Sequence, residues 1–148
     1  MYTVTKQYRT ETGHRLTNYE GKCAHLHGHS YLWEVTATSK GLVNGMVVDF
    51  KDLKKAMVAI LEPLDHAFIV APDDPLIDIA RSGGMPLSDL LRATNGKEPR
   101  LIHWEENPTA ESFAQWASEM IQQAVPEGIT ITNVRVWETD SSYAEYLA

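Results

Sequence analysis

The sequence predicts an α+β fold. Two stretches near the N-terminus and two at the C-terminus alternate at period 2, as strands do. Between them lie two amphipathic stretches with helical spacing. The order is β-β-α, an irregular region, then α-β-β, with strands grouped at both ends instead of alternating with helices. A length of 148 residues is enough to bury one core, and the protein reads as a single domain, 1–148.

Residues 2–15 read as the first strand, because Tyr2, Val4, Tyr8, Thr10, Thr12 and His14 share one parity. Residues 27–39 read as a stronger one: Tyr31, Trp33, Val35 and Ala37 are apolar at period 2, and His27 and His29 extend the same face. Lys40-Gly41 and Asn44-Gly45 mark a turn, with Met46–Val48 a short continuation. Residues 50–61 read as a helix on the spacing of Phe50, Leu53, Met57, Ile60 and Leu61; Asp49 is its N-cap and Pro63 its stop. A second helix spans about 108–124, started by Asn107-Pro108 and carrying Phe113, Trp116, Ala117, Met120, Ile121 and Ala124 in one stripe. Residues 129–138 and Tyr143–Leu147 read as the last two strands. The region 71–104 is punctuated by Asp73-Asp74-Pro75 and Ser82-Gly83-Gly84. Short helical pieces at Pro75–Arg81 and Pro86–Arg92 and a strand at Arg100–Trp104 fit it, and so long a connection reads as a lid, an insertion or an oligomer contact.

The net charge of −7 excludes general nucleic-acid binding. The charge is uneven. Residues 1–55 hold eight Lys/Arg against five acids, and the remainder five against fifteen. A local basic excess suits a small anionic ligand. No apolar run approaches the roughly 18 residues of a membrane span, the N-terminus lacks the apolar core of a signal peptide, and a lone cysteine fits a reducing cytoplasm.

Chemistry concentrates in Cys23-Ala24-His25-Leu26-His27-Gly28-His29, which holds the one cysteine and three of six histidines. In an extended segment, side chains at i and i+2 point the same way, so His27 and His29 can grip one metal ion. Gly28 between them lets backbone approach closely. Pairing of the first two strands brings His14 beside them, and three imidazoles form the protein shell of an open zinc site. His25 shares their parity and is not excluded by spacing. Cys23 has three readings: a fourth ligand closing the site, a small buried apolar residue, or a base or nucleophile beside a cation. Asp65-His66 directly follows the first helix; His66 can exchange a proton with a thiol, and Asp65 can orient it. Glu138 shares the parity of Val134 and Val136, and a carboxylate there can bind the paired N–H groups of a pterin or guanine. Glu111 suits a helix N-terminus, and Thr109 its capping region.

Taken together, several motifs resemble the 6-pyruvoyl-tetrahydropterin synthase family, including its 6-carboxy-tetrahydropterin synthase branch. They are Thr12-Gly13-His14-Arg15-Leu16, Cys23-x-x-x-His27-Gly28-His29, Val48-Asp49-Phe50 with Leu53, Leu64-Asp65-His66, Glu106-Asn107-Pro108-Thr109-Ala110-Glu111 and Trp137-Glu138-Thr139. They follow the family's order across nearly the whole sequence. The resemblance implies a tunnelling-type fold: a four-stranded antiparallel sheet with two helices on one face, here with an inserted segment around 71–104. It further implies zinc on His14, His27 and His29, Cys23 as proton acceptor, His66 with Asp65 as its relay, and Glu138 as pterin anchor with Thr109 beside the substrate. It also implies a homohexamer with active sites between subunits.

The three residues separating Cys23 from His27 resemble the queuosine-pathway branch. They favour conversion of 7,8-dihydroneopterin triphosphate to 6-carboxy-5,6,7,8-tetrahydropterin, with acetaldehyde and triphosphate released. Arg15, Lys22, Lys51 and Lys54 are candidates for the triphosphate on charge placement alone. A 6-pyruvoyl-forming enzyme and a dihydroneopterin side-chain lyase share the same metal and base. A non-catalytic zinc-stabilised module binding pterin or purine is the alternative from another class.

Overall fold

The computed structural model describes the backbone of residues 1–148 and every side chain except that of residue 95. In sequence order its elements are β1 (Thr3–His14), β2 (His27–Ser39), α1 (Phe50–Leu61), β3 (Phe68–Val70), α2 (Pro75–Ser82), α3 (Leu87–Asn95), β4 (Leu101–His103), α4 (Ala110–Ala124), β5 (Ile129–Thr139) and β6 (Ser142–Leu147). The α+β class holds, but the sheet has six strands, ordered β4-β3-β1-β2-β5-β6, where the family resemblance implies four. The antiparallel four are β1, β2, β5 and β6; β3 runs parallel to β1, and β4 parallel to β3. β3 has three residues, too few for a period of 2 to show in the sequence. Only its neighbours in space make it a strand.

β1 and β2 form a long ribbon whose register pairs Tyr8 with Trp33, Thr10 with Tyr31, Thr12 with His29 and His14 with His27. One face of this ribbon is buried. Tyr31, Trp33, Val35 and Ala37 from β2 pack with Val134 and Val136 from β5, Leu53, Met57 and Leu61 from α1, and Phe113, Ala117 and Ile121 from α4. Each such large side chain contributes about 1.5–3 kcal/mol by leaving water. The polar groups on that face are paired: Trp33 Nε1 donates to Thr10 Oγ1 at 2.9 Å and Thr12 Oγ1 to the Leu64 carbonyl at 3.0 Å. The opposite face is a polar ladder, in which Gln7 Nε2 donates to Glu34 at 2.9 Å and Ser30 Oγ to Glu11 at 2.7 Å.

Two helices pack on the buried face, as the resemblance implies, but the protein also holds α2 and α3 in the 71–104 region. Asp49 caps α1 by accepting from the Lys51 N–H at 2.8 Å. The buried stripe of α4 is Ala110, Phe113, Ala114, Ala117, Ser118 and Ile121, so Ala124 lies outside it. α4 begins at Ala110 with Thr109 as N-cap, two residues later than the Asn107-Pro108 signal indicates. Met46–Val48 does not continue β2; Met46 bridges back to Val43 across a tight turn.

Candidate metal centre

His14, His27 and His29 meet at one end of the β1–β2 ribbon. The register sets His14 opposite His27, and the two-residue period places His29 on the same face. The ring of His14 lies 4.6 Å from that of His27 and 5.2 Å from that of His29, centroid to centroid, and the last two lie 4.8 Å apart. One nitrogen from each lies within 4.8 Å of the others, and among the described residues these three form the cluster suited to a metal ion. Gly28 makes the close approach possible: a Cβ there would sit 3.1 Å from the Thr12 carbonyl oxygen.

Two of the rings are held from behind. His14 Nδ1 donates to the Pro108 carbonyl at 2.7 Å and His27 Nδ1 to the His25 carbonyl at 2.7 Å. A ring nitrogen that donates in this way leaves its partner nitrogen with a lone pair. Nε2 of His27 and Nε2 of His29 then face each other at 3.0 Å. The His27 nitrogen presents its lone pair there, to a cation or to an N–H of His29. Burial, with small contributions from the neighbouring imidazoles, lowers the His14 pKa from 6.5 to about 4, against the opposing bond to Pro108. Burial also lowers His29, although the Glu138 carboxylate opposes it. Neutral imidazoles are the form that ligates zinc, so the donor set fits that ion.

Glu138 and Tyr31 stand beside the histidines. Trp137 pairs with Tyr143 and Thr139 with Ser142, so Glu138 is the extra residue of a β-bulge, with no β6 partner. Bulges re-aim a side chain next to a site. Here the Glu138 carboxylate accepts from the Tyr31 hydroxyl at 3.3 Å, and that hydroxyl also lies 3.1 Å from His14 Nε2. Tyr31 is fully buried; burial, then Glu138, then Cys23 push its pKa well above the ordinary phenol value. The spacing at residues 27–39 assigns Tyr31 to the core. Its parity with His27 and His29 was the signal that it also reaches the site.

Cys23 sits in a 3₁₀ turn, Lys22–Ala24, half-buried and near enough to Tyr31 to act on it electrostatically, yet outside the three-nitrogen cluster. His25 is exposed and contributes its carbonyl, not its ring, to the arrangement of His27. Asp65 and His66 lie at the other edge of β1. The Glu11 N–H donates to Asp65 Oδ1 at 2.7 Å, His66 Nδ1 donates to Asp65 Oδ2 at 2.9 Å, and the His66 N–H donates to the Glu11 carbonyl at 2.6 Å. These bonds hold His66 at φ +56°, a left-handed backbone that a histidine adopts at a cost. The Glu11 N–H, aided by His66 and Arg100, holds the Asp65 carboxyl below its usual range against burial. The His66 ring is 74% exposed, and among the described residues no hydrogen bond joins it to Cys23. The fold therefore gathers His14, His27, His29, Tyr31 and Glu138, with Cys23 on their side, and leaves Asp65-His66 apart. Thr109 spends its hydroxyl on the α4 cap, accepting from the Ser112 N–H at 3.2 Å, and Glu111 stands in the first turn. Arg15 is committed to Asp74 through two hydrogen bonds, so its charge is paired within the protein.

These features define an α+β protein whose sheet carries a three-imidazole metal-type pocket with a carboxylate beside it. The model of the 6-pyruvoyl tetrahydropterin synthase family matches residues 3–148, and the protein belongs to that family. It is 31% identical over 151 residues to 6-carboxy-5,6,7,8-tetrahydropterin synthase of Haemophilus influenzae, covering 99% of both proteins. It is also 31% identical over 166 residues to the protein of the same name in Aquifex aeolicus, covering 98% of this protein and 97% of that one. An uncharacterized protein from Wolinella succinogenes shares the fold with a TM-score of 0.80 at 28% identity, over 99% of this protein and 97% of the other. The Caenorhabditis elegans 6-pyruvoyl tetrahydropterin synthase matches in fold with a TM-score of 0.66 at 22% identity, over 99% and 95%.

Proposed function

We propose that this protein converts 7,8-dihydroneopterin triphosphate to 6-carboxy-5,6,7,8-tetrahydropterin, releasing acetaldehyde and triphosphate. The observation that carries the reading is the convergence of three imidazoles beside Glu138 and Tyr31, in a protein whose relatives bear the 6-carboxy name. His14, His27 and His29 would hold zinc, which when bound supplies Lewis-acid charge to substrate oxygens. Glu138, aimed by its bulge and by Tyr31, would accept the paired N–H groups of the pterin ring, with Thr109 nearby.

Cys23 as thiolate would take a proton from a carbon of the substrate's side chain, and His66 would carry it onward. The Asp65 carboxylate, kept ionised by the Glu11 N–H, fixes His66 with its Nδ1–H turned inward, leaving Nε2 to exchange protons. Elimination of triphosphate and carbon–carbon cleavage with uptake of water then yield the products. Because Asp65-His66 lies apart from Cys23 within one subunit, the relay would be completed by a second subunit of a homohexamer. Work on a small intracellular metabolite fits a cytoplasmic protein; no helix among the described residues is long and apolar enough to cross a membrane.

The test is mass spectrometry of the products formed by zinc-loaded protein from 7,8-dihydroneopterin triphosphate. A 6-carboxy pterin with acetaldehyde is the expected result. A 6-pyruvoyl product would move the protein to the sister activity, and unchanged substrate would leave a non-catalytic binding module. Cys23→Ala is expected to keep zinc and lose turnover; loss of zinc in that variant would make Cys23 a ligand instead.

A further inference from the structure

We infer that Asp73 and Asp74, at the start of the 71–104 region, are positioning residues that clamp the Cys23-bearing loop against the histidine site. The inference rests on the reading of Cys23 as proton acceptor. Residues 15–26 leave β1 directly after His14 and return to β2 at His27, with three residues of 3₁₀ turn between. Tyr19 and Leu26 of this loop are exposed, so little apolar burial holds it. Polar bonds do the holding. The loop closes on itself where the Leu16 N–H donates to the Cys23 carbonyl at 2.8 Å.

Its anchors come from distant parts of the sequence. Arg15 Nε donates to Asp74 Oδ2 at 2.8 Å, and Arg15 Nη2 donates to Asp74 Oδ1, a two-point fork that fixes direction as well as distance. Thr17 Oγ1 and Asn18 Nδ2 donate to the two oxygens of Asp73 at 2.8 and 2.7 Å. Asn107, next to the Pro108 that holds His14, accepts from the Thr17 N–H and donates to the Thr17 carbonyl, both at 3.0 Å.

Asp74 is the strongest of these anchors. Its side chain is fully buried, and it also caps α2 by accepting from the Leu76 N–H at 2.8 Å. Burial opposes its charge, but Arg15 and the Leu76 N–H keep its carboxyl below the usual range. A buried carboxylate that lost its guanidinium would be left uncompensated, so Arg15 is held firmly in place. Asp73 and Asp74 are rigid in turn, because β3 just before them is built into the sheet beside β1, opposite Gly13 and His14. The clamp thus spans from the sheet to the loop and gives the segment beginning at 71 a role in the site.

The test uses Asp74→Asn and Asp73→Ala in the full-length protein. Asp73 caps no helix and bonds loop side chains, so its variant reports on the loop even if Asp74→Asn fails to fold. Four readouts are compared with the parent protein: zinc content, thermal melting, the rate of Cys23 alkylation by iodoacetamide, and kcat and KM with 7,8-dihydroneopterin triphosphate. The expected result is retained zinc, faster alkylation, and kcat lowered about tenfold to a hundredfold by misplacement of the thiol, with KM little changed. Unchanged alkylation with zinc retained overturns the clamp, and so does loss of zinc in both variants. Faster alkylation with unchanged kcat upholds the clamp and removes Cys23 from the reaction.

Discussion

His14 is the most buried of the three histidines, and its environment decides how the site responds to pH. Its pKa in the folded, metal-free protein is about 4, below the 6.5 of an unfolded histidine. Between those values the unfolded state binds more protons, so stability rises with pH. The contribution is fully present above about pH 6.5 and is lost as pH falls towards 4. Urea unfolding of the metal-free protein across this range is expected to show stability declining on acidification, and a His14→Gln variant should flatten that decline. Tyr31 carries a second prediction. Its hydroxyl gives Glu138 a charge-assisted bond, of a kind worth about 1.5–3 kcal/mol. Tyr31→Phe should keep zinc and weaken binding of a reduced pterin by about tenfold or more. Calorimetric titration of the zinc-loaded variant checks this, and unchanged affinity would remove Tyr31 from the site.

At the scale of elements, the site is aimed by breaks in regular structure. The register of β5 against β2 shifts between Ile131 and Asn133, so that Ile131 and Val134, of opposite parity, both reach the core. A second shift leaves Glu138 unpaired with β6. The delayed start of α4 leaves Pro108 outside the helix, with its carbonyl free for His14. Phe113 on α4 joins core to site: its ring lies 5.5 Å from that of Tyr31, 5.0 Å from Trp104 and 6.2 Å from His14. It is fully buried. Phe113→Ala is expected to cost about 3–5 kcal/mol. Denaturant titration at fixed zinc concentration measures this, and zinc affinity should fall with it, because Tyr31 and His14 lose the surface they pack on.

At the scale of the whole molecule, one subunit does not bring the proposed relay together. His66 points to solvent at one edge of β1, while Cys23 lies near Tyr31 on the histidine side. Sites shared between subunits, as proposed for the relay, predict complementation. Cys23→Ala and His66→Ala proteins, each inactive alone, should regain activity when mixed by dissociation and reassembly, since some sites would then pair an intact Cys23 with an intact His66. Turnover assays on the mixture, with each variant reassembled alone as control, decide it. No recovery would place both residues in one subunit's site or exclude one of them.

Much of this protein is legible in the residues alone. The alternation of β1 and β2, the stripe of α1, the shared parity of His27 and His29, and the place of His14 at the end of β1's alternating face are local, repeated signals, and antiparallel pairing turns them into a three-histidine cluster. The parity of Glu138 with Val136 survives because the bulge falls at Glu138 itself. Other features depend on contacts between residues far apart in the sequence. The three-residue strand β3 exists because β1 and β4 flank it. Arg15, basic and close to the metal motif, is drawn into a pair with a buried Asp74. Tyr31 turns from a core residue into a bridge because its hydroxyl ends between His14 and Glu138. The sequence by itself determined the periodic elements and the chemistry of the donors, since both follow from residue type and spacing. Only the tertiary structure decided which polar groups meet. Their partners are set by how elements pack in space, and no local period records that.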